Sequence, residues 1–178
     1  MKRRFPVWRT VSGNNFSCEY LIQLMKDSGM EISKSASEIL NKFVYTSSPV
    51  EIEADLAVVS SEDIGFTEGA KLKELIERGE SKEFGLRRCH ALVAPFLRIA
   101  YFNQPEGERL MVVMDPICDS AKVPRIFSLG ADKGLLWLGA PYGNLEGFWD
   151  KDCRLLYALS VRERAASSKQ KHIFRALA

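Results

Sequence analysis

Three segments in the second half of this chain, residues 108–115, 135–139 and 153–161, read as strands that are apolar on both faces. In the first, Leu110, Val112 and Met114 alternate with Met111 and Val113; Leu135 to Leu138 and Leu155 to Leu159 are apolar without a break. Strands of this kind exclude water from either side, so the fold that takes them in must cover both faces of a sheet.

The first half carries the other periodicity. Phe16, Tyr20, Leu21, Leu24 and Met25 share one helical face behind an Asn14-Asn15 cap, and Gly29 stands where a C-cap belongs. Ser33 or Ser35 starts a second helix through Ile39, Leu40 and Phe43, which ends near Pro49. Residues 52–59 alternate as a strand, and Thr67 caps a third helix carrying Ala70, Leu72, Leu75 and Ile76. Hairpin signals follow. Segments 97–102 and 108–115 flank a turn containing Pro105 and Gly107, with Pro116 as a stop, and segments 125–129 and 135–139 flank Gly130 to Gly134.

The pattern predicts an α+β fold, with N-terminal helices packed on a mostly antiparallel, hairpin-linked sheet of five or six strands. Residues 1–15 form a basic N-terminal segment, 16–161 one domain and 162–178 a basic C-terminal tail. Three helices cover one face of such a sheet. The other face, with Met111 and Val113, is expected to be an apolar patch that pairs with a second copy or another protein.

At 178 residues, 46% hydrophobic and 27% charged, the chain is long enough to build its own core without disulfides or metal. The net charge of +2 hides an uneven distribution. Lys2, Arg3, Arg4 and Arg9 lie at one end and Arg162, Arg164, Lys169, Lys171 and Arg175 at the other, with an acidic stretch between. Basic ends of this kind hold nucleic acid in some proteins and serve only solubility in others. Arg9 interrupts the start before an export signal forms, and no apolar run reaches membrane-spanning length. A cytoplasmic protein with no membrane contact is expected. Cys18, Cys89, Cys118 and Cys153 form no Cys-x-x-Cys pair and read as small buried hydrophobes with free thiols; no metal or cofactor is expected.

Phosphate-loop, dinucleotide-binding, zinc-protease and serine-hydrolase motifs are all missing from the sequence. Two constellations remain. If 97–102 and 108–115 pair across their turn, Arg98 and Glu108 share a face that Arg125 joins from the next strand. With His90 this supplies a base, an acid and phosphate ligands for metal-free RNA cleavage. The competing reading is a cross-strand ion pair and a histidine satisfied in a loop. The second constellation is aromatic: Trp137, Tyr142, Phe148 and Trp149 fall in thirteen residues beside several glycines, suited to gripping a peptide or to filling a core. Asp115, Asp119 and the nearby Asp132 suit a divalent cation on paper, but Asp115-Pro116 and Asp119-Ser120 read better as turn formers.

Several segments carry a resemblance: Glu53 to Ser60, Ile64-Gly65-Phe66, Gly69-Ala70, Gly85-Leu86, Cys89, Pro95 with Leu97, Arg98 and Tyr101, Gln104-Pro105 with Gly107-Glu108, Met114-Asp115-Pro116-Ile117, Asp119-Ser120 and Phe148-Trp149. Together they resemble a group of uncharacterised small bacterial proteins over about residues 50 to 160. The resemblance implies a bacterial, cytosolic single domain and transfers no catalytic residue. Where this chain has His90, the similar proteins have proline after the cysteine, which weakens His90 as an acid. The expected function is therefore non-enzymatic binding: protein–protein association through a sheet face, with nucleic-acid contact by the basic ends as an addition. The alternative is a small metal-independent ribonuclease or toxin-like enzyme.

Overall fold

The computed structural model of the protein describes residues 5–13, 16–44 and 50–165. Its elements run β1 (Arg9–Gly13), α1 (Cys18–Asp27), β2 (Glu31–Ile32), α2 (Lys34–Val44) and β3 (Val50–Ser60). After a single 3-10 turn (Glu62–Ile64) come β4 (Ala70–Lys71), α3 (Leu72–Glu80), α4 (Val93–Ala100) and β5 (Arg109–Val112). The remainder is β6 (Ile117–Cys118), β7 (Pro124–Arg125), β8 (Ser128–Asp132), β9 (Leu135–Gly139), β10 (Phe148–Trp149) and β11 (Arg154–Ala165).

Local chemistry sets the helix starts. The Ser17 hydroxyl accepts from the Tyr20 amide to begin α1, and the Ser33 hydroxyl accepts from the Ala36 amide at α2. The Asn14-Asn15 cap lies outside the described residues. The third helix begins at Leu72, well after Thr67, because Ala70 and Lys71 are drawn into pairing with Trp149 and Phe148. The Glu74 carboxylate then accepts from the Lys71 amide.

The fold is α+β with a mostly antiparallel sheet, but the count and the covering differ from expectation. The main sheet has seven strands in the order β1-β3-β11-β5-β8-β9-β2, and two of its pairs, β11 with β5 and β2 with β9, are parallel. The expected hairpin of 97–102 with 108–115 does not form. Residues 93–100 are instead helix α4, buried along most of its length, and its apolar run reads as easily as strand. The hairpin of β8 and β9 does form, tighter than expected, around Lys133 and Gly134, both at positive φ.

Both faces of the sheet are covered. Gly13 lies against Phe96 of α4 and pairs with Ile52, so α4 is on the face of Ile52, Leu56 and Leu156. Tyr157 points the other way, and its hydroxyl donates to the Leu75 carbonyl of α3 at 2.7 Å. Met111 and Val113 are 8% and 1% exposed and belong to the core, so they present no open patch. A fourth helix and the placement of α3 supply the cover that three helices on one face lacked.

Candidate functional site

The four residues assigned to RNA cleavage acquire separate roles. Arg98 sits in α4 with no solvent exposure. Its guanidinium donates to the Tyr101 carbonyl, the Gln104 side-chain oxygen and the Gly130 carbonyl, and burial pulls it below its ordinary value, to about 10. It remains a cation at neutral pH that ties a helix to a sheet, out of reach of a substrate. Arg125 pairs with Asp119 at 2.9 Å. His90, in the loop before α4, accepts the Leu92 amide at Nδ1. Glu108 lines an open groove, and Arg125 and His90 are themselves partly exposed.

Glu108 is held on both oxygens. The Tyr101 hydroxyl donates to one at 2.8 Å, and Arg154 pairs with the other at 2.8 Å. Burial, and next the bond to Glu108, raise the Tyr101 hydroxyl above its ordinary value. The Gln104 side-chain amide donates to the Glu108 carbonyl, so Arg98 and Glu108 are linked through Gln104 and not by a cross-strand pair. The Arg9 guanidinium lies 4.2 Å from the Tyr101 ring centroid. The sequence signalled Glu108; Tyr101, Arg154 and Arg9 were missed because their approach depends on strand neighbours distant in the chain.

Of the acids expected to form turns, Asp119 does so, while Asp115 holds an ion pair instead. Asp119 accepts from the amides of Ala121 and Val123 as well as from Arg125, and those bonds hold its carboxyl below the usual range. Asp115 pairs with Arg88. Among the described residues no cluster of three or more His, Cys, Asp or Glu side chains is placed to hold a metal ion. Cys18 and Cys89 are buried and Cys153 partly so; Cys118 is exposed, a correction to the reading of all four as buried. Burial pushes the Cys18 and Cys153 thiols up to about 11 and Cys89 higher still.

The aromatic constellation divides. Trp137 lies in the main sheet against Gly130, with the Arg109 guanidinium 5.1 Å from its ring centroid. Trp149 is half-buried against the core. Tyr142 and Phe148 are 55% and 66% exposed, with Leu145 at 44% between them. The loop that carries these three is fastened at many points. The first amides of α3, on Leu72 and Lys73, donate to the carbonyls of Gly147 and Leu145, so the loop supplies the acceptors that a helix start lacks. Glu146 pairs with Lys71 at 3.0 Å and Lys73 at 2.6 Å, and these bonds, Lys73 first, hold its carboxyl below the usual range. The Gly143 amide donates to the Pro124 carbonyl, and Gly69, at φ +95°, lets the Trp149 carbonyl approach where a Cβ would block it.

Of the tail residues, Arg162 and Arg164 belong to β11, opposite Glu53 and Glu51 in register; Lys169, Lys171 and Arg175 lie outside the described residues, as do Lys2, Arg3 and Arg4. No helix among the described residues is long and apolar enough to cross a membrane. Compared with family models, curated proteins and solved structures, the chain finds no match.

Proposed function

We propose that this protein acts by binding another protein through the loop of residues 142–148, with no chemistry of its own. One observation carries the reading: Tyr142, Leu145 and Phe148 stand out to solvent from a backbone bolted to the start of α3. Apolar side chains exposed on a mobile loop are ordinary, but the same side chains on a fixed loop bind with little ordering cost. Of the other exposed rings, Phe16 and Tyr20 stack on one another at 5.0 Å, while Phe102 stands out alone in the turn after α4. The association surface thus moves from the sheet face, where Met111 and Val113 are buried, to the loop that also holds Tyr142 and Phe148.

The test compares wild type with a Leu145→Ser, Phe148→Ser double variant whose thermal transition is intact. Light scattering over a wide concentration range reads self-association, and affinity capture from the native cell reads a different partner. Association or a captured protein lost specifically in the variant supports the proposal. Identical behaviour of the two chains rules out the loop.

A further inference from the structure

The main sheet ends in two different edges. β2, at one end of the strand order, is two residues long, and so short an edge gives a second chain little to pair with. β1, at the other end, runs for five residues, Arg9–Gly13, with neither lysine nor proline among them to discourage pairing.

The register shows which main-chain groups of β1 face outward. The Leu56 carbonyl accepts from the Trp8 amide at 2.7 Å, so Leu56 turns its main chain toward β1. Ala158, opposite Leu56 on its other side, accordingly bonds to Arg87 and not to β3. Pairs alternate along an antiparallel ladder. Arg9, Val11 and Gly13, opposite Leu56, Ala54 and Ile52, therefore share their hydrogen bonds with β3, while Thr10 and Ser12 turn N–H and C=O to the open edge. Both residues are exposed, and among the described residues neither main chain has a partner on that side.

Apolar surface flanks this edge at both ends. Beyond Gly13, the exposed rings of Phe16 and Tyr20 stack together, and Phe16 lies 6.4 Å from Phe96, the ring that packs against Gly13. Before Arg9 stands Val7, also exposed.

We propose that β1 pairs antiparallel with β1 of a second copy about a twofold axis at Val11, joining two seven-stranded sheets into one. In that register the strand is complementary to itself. Thr10 of each copy lies opposite Ser12 of the other, so the outward N–H and C=O groups of both residues are satisfied and hydroxyl side chains meet hydroxyl side chains. Arg9 lies opposite Gly13, which holds the two guanidinium groups at opposite ends of the interface, and no like charges face each other across it. The same direction brings Phe16 and Tyr20 of one copy to the end where Val7 of the other stands, so each chain covers apolar surface that the other leaves open. The edge is separate from the loop of residues 142–148 and does not depend on the reading placed there.

The experiment follows sedimentation equilibrium of the full chain over a wide concentration range, with amide hydrogen exchange at both ends of that range. A monomer–dimer equilibrium is expected, in which the amides of Thr10 and Ser12 slow as dimer accumulates. Ser12→Pro removes an outward donor at an exposed edge position and spares the bonds to β3, so it should weaken dimerisation about tenfold or more while the thermal transition is retained. If that variant unfolds, the concentration dependence of exchange in the wild type decides alone. The Leu145→Ser, Phe148→Ser double variant should dimerise as the wild type does. Association lost there and kept in Ser12→Pro belongs to the loop and overturns the edge. A monomer at every concentration, or amides of Thr10 and Ser12 already protected in the monomer, overturns it as well.

Discussion

Arg98 of α4 donates to the main-chain carbonyl of Gly130 in β8 at 3.2 Å, a bond between a fully buried cation and the backbone of the central sheet. The same guanidinium holds Tyr101 and Gln104, so its loss opens a cavity and strips three acceptors of a shared donor. Arg98→Ala is expected to destabilise the protein by about 3 kcal/mol or more, measured by urea unfolding. A change below about 1 kcal/mol would mean that the guanidinium contributes no more than its desolvation removes.

Gly130 is needed for the room it leaves. A Cβ there would stand 2.0 Å from the Trp137 ring, too close for either to remain in place. Gly130→Ala should cost about 1–3 kcal/mol and alter tryptophan fluorescence, since the ring has to leave its seat. In a Trp137→Ala background the same change should cost much less, a coupling that a double-mutant cycle measures.

Val113→Lys tests the covering of the sheet. With Val113 at 1% exposure, the variant buries an ammonium in the core and is expected to lose more than about 4 kcal/mol, enough to unfold a marginal domain. Circular dichroism shows the result directly. A stable, more soluble Val113→Lys variant would return the face to solvent.

Burial, and secondarily the Glu80 charge, raise the Tyr157 hydroxyl above its ordinary value. The folded state therefore holds that proton more tightly than the unfolded chain, whose tyrosines titrate near pH ~10. The resulting stability is fully present below about pH 10 and is lost as pH rises beyond it. Tyr157→Phe, lacking the bond to Leu75, should be weaker than wild type by about 1 kcal/mol at neutral pH. The gap should narrow under alkaline conditions, because the variant has no hydroxyl to keep protonated. Melts at about pH 7 and pH 11 compare the two; a constant gap counts against the assignment.

Elements with a local signature were legible. The helical faces of α1 and α2, the alternation of β3 and the turn between β8 and β9 all follow from residues close in sequence. Helix α4 was not, because Val93 to Ala100 is apolar nearly all round, and Pro95, a signal against helix in general, is tolerated in a first turn. Misreading that segment as strand placed Arg98 on a sheet face beside Glu108 and generated the nuclease constellation. Glu108 itself was found, but its true neighbours Tyr101, Arg154 and Arg9 arrive through a helix end, a late strand and the first strand. Exposure within the aromatic run could not be read either, since Trp149 and Phe148 are adjacent and differ only in which side of β10 they occupy.

The longest ladder in the sheet joins β3 to β11, so Leu56 lies opposite Ala158, about a hundred residues further along the chain. As synthesis proceeds, β3 emerges and finds β1 on one edge, while its other edge waits for a strand made about a hundred residues later. Until then Leu56 and Val59 have no permanent neighbour on that side, and β5 lacks the partner that connects it to the first half. Acquisition of the native state is consequently a late, long-range event, slow by comparison with a helical domain of this size and dependent on protection of apolar edges in the interval.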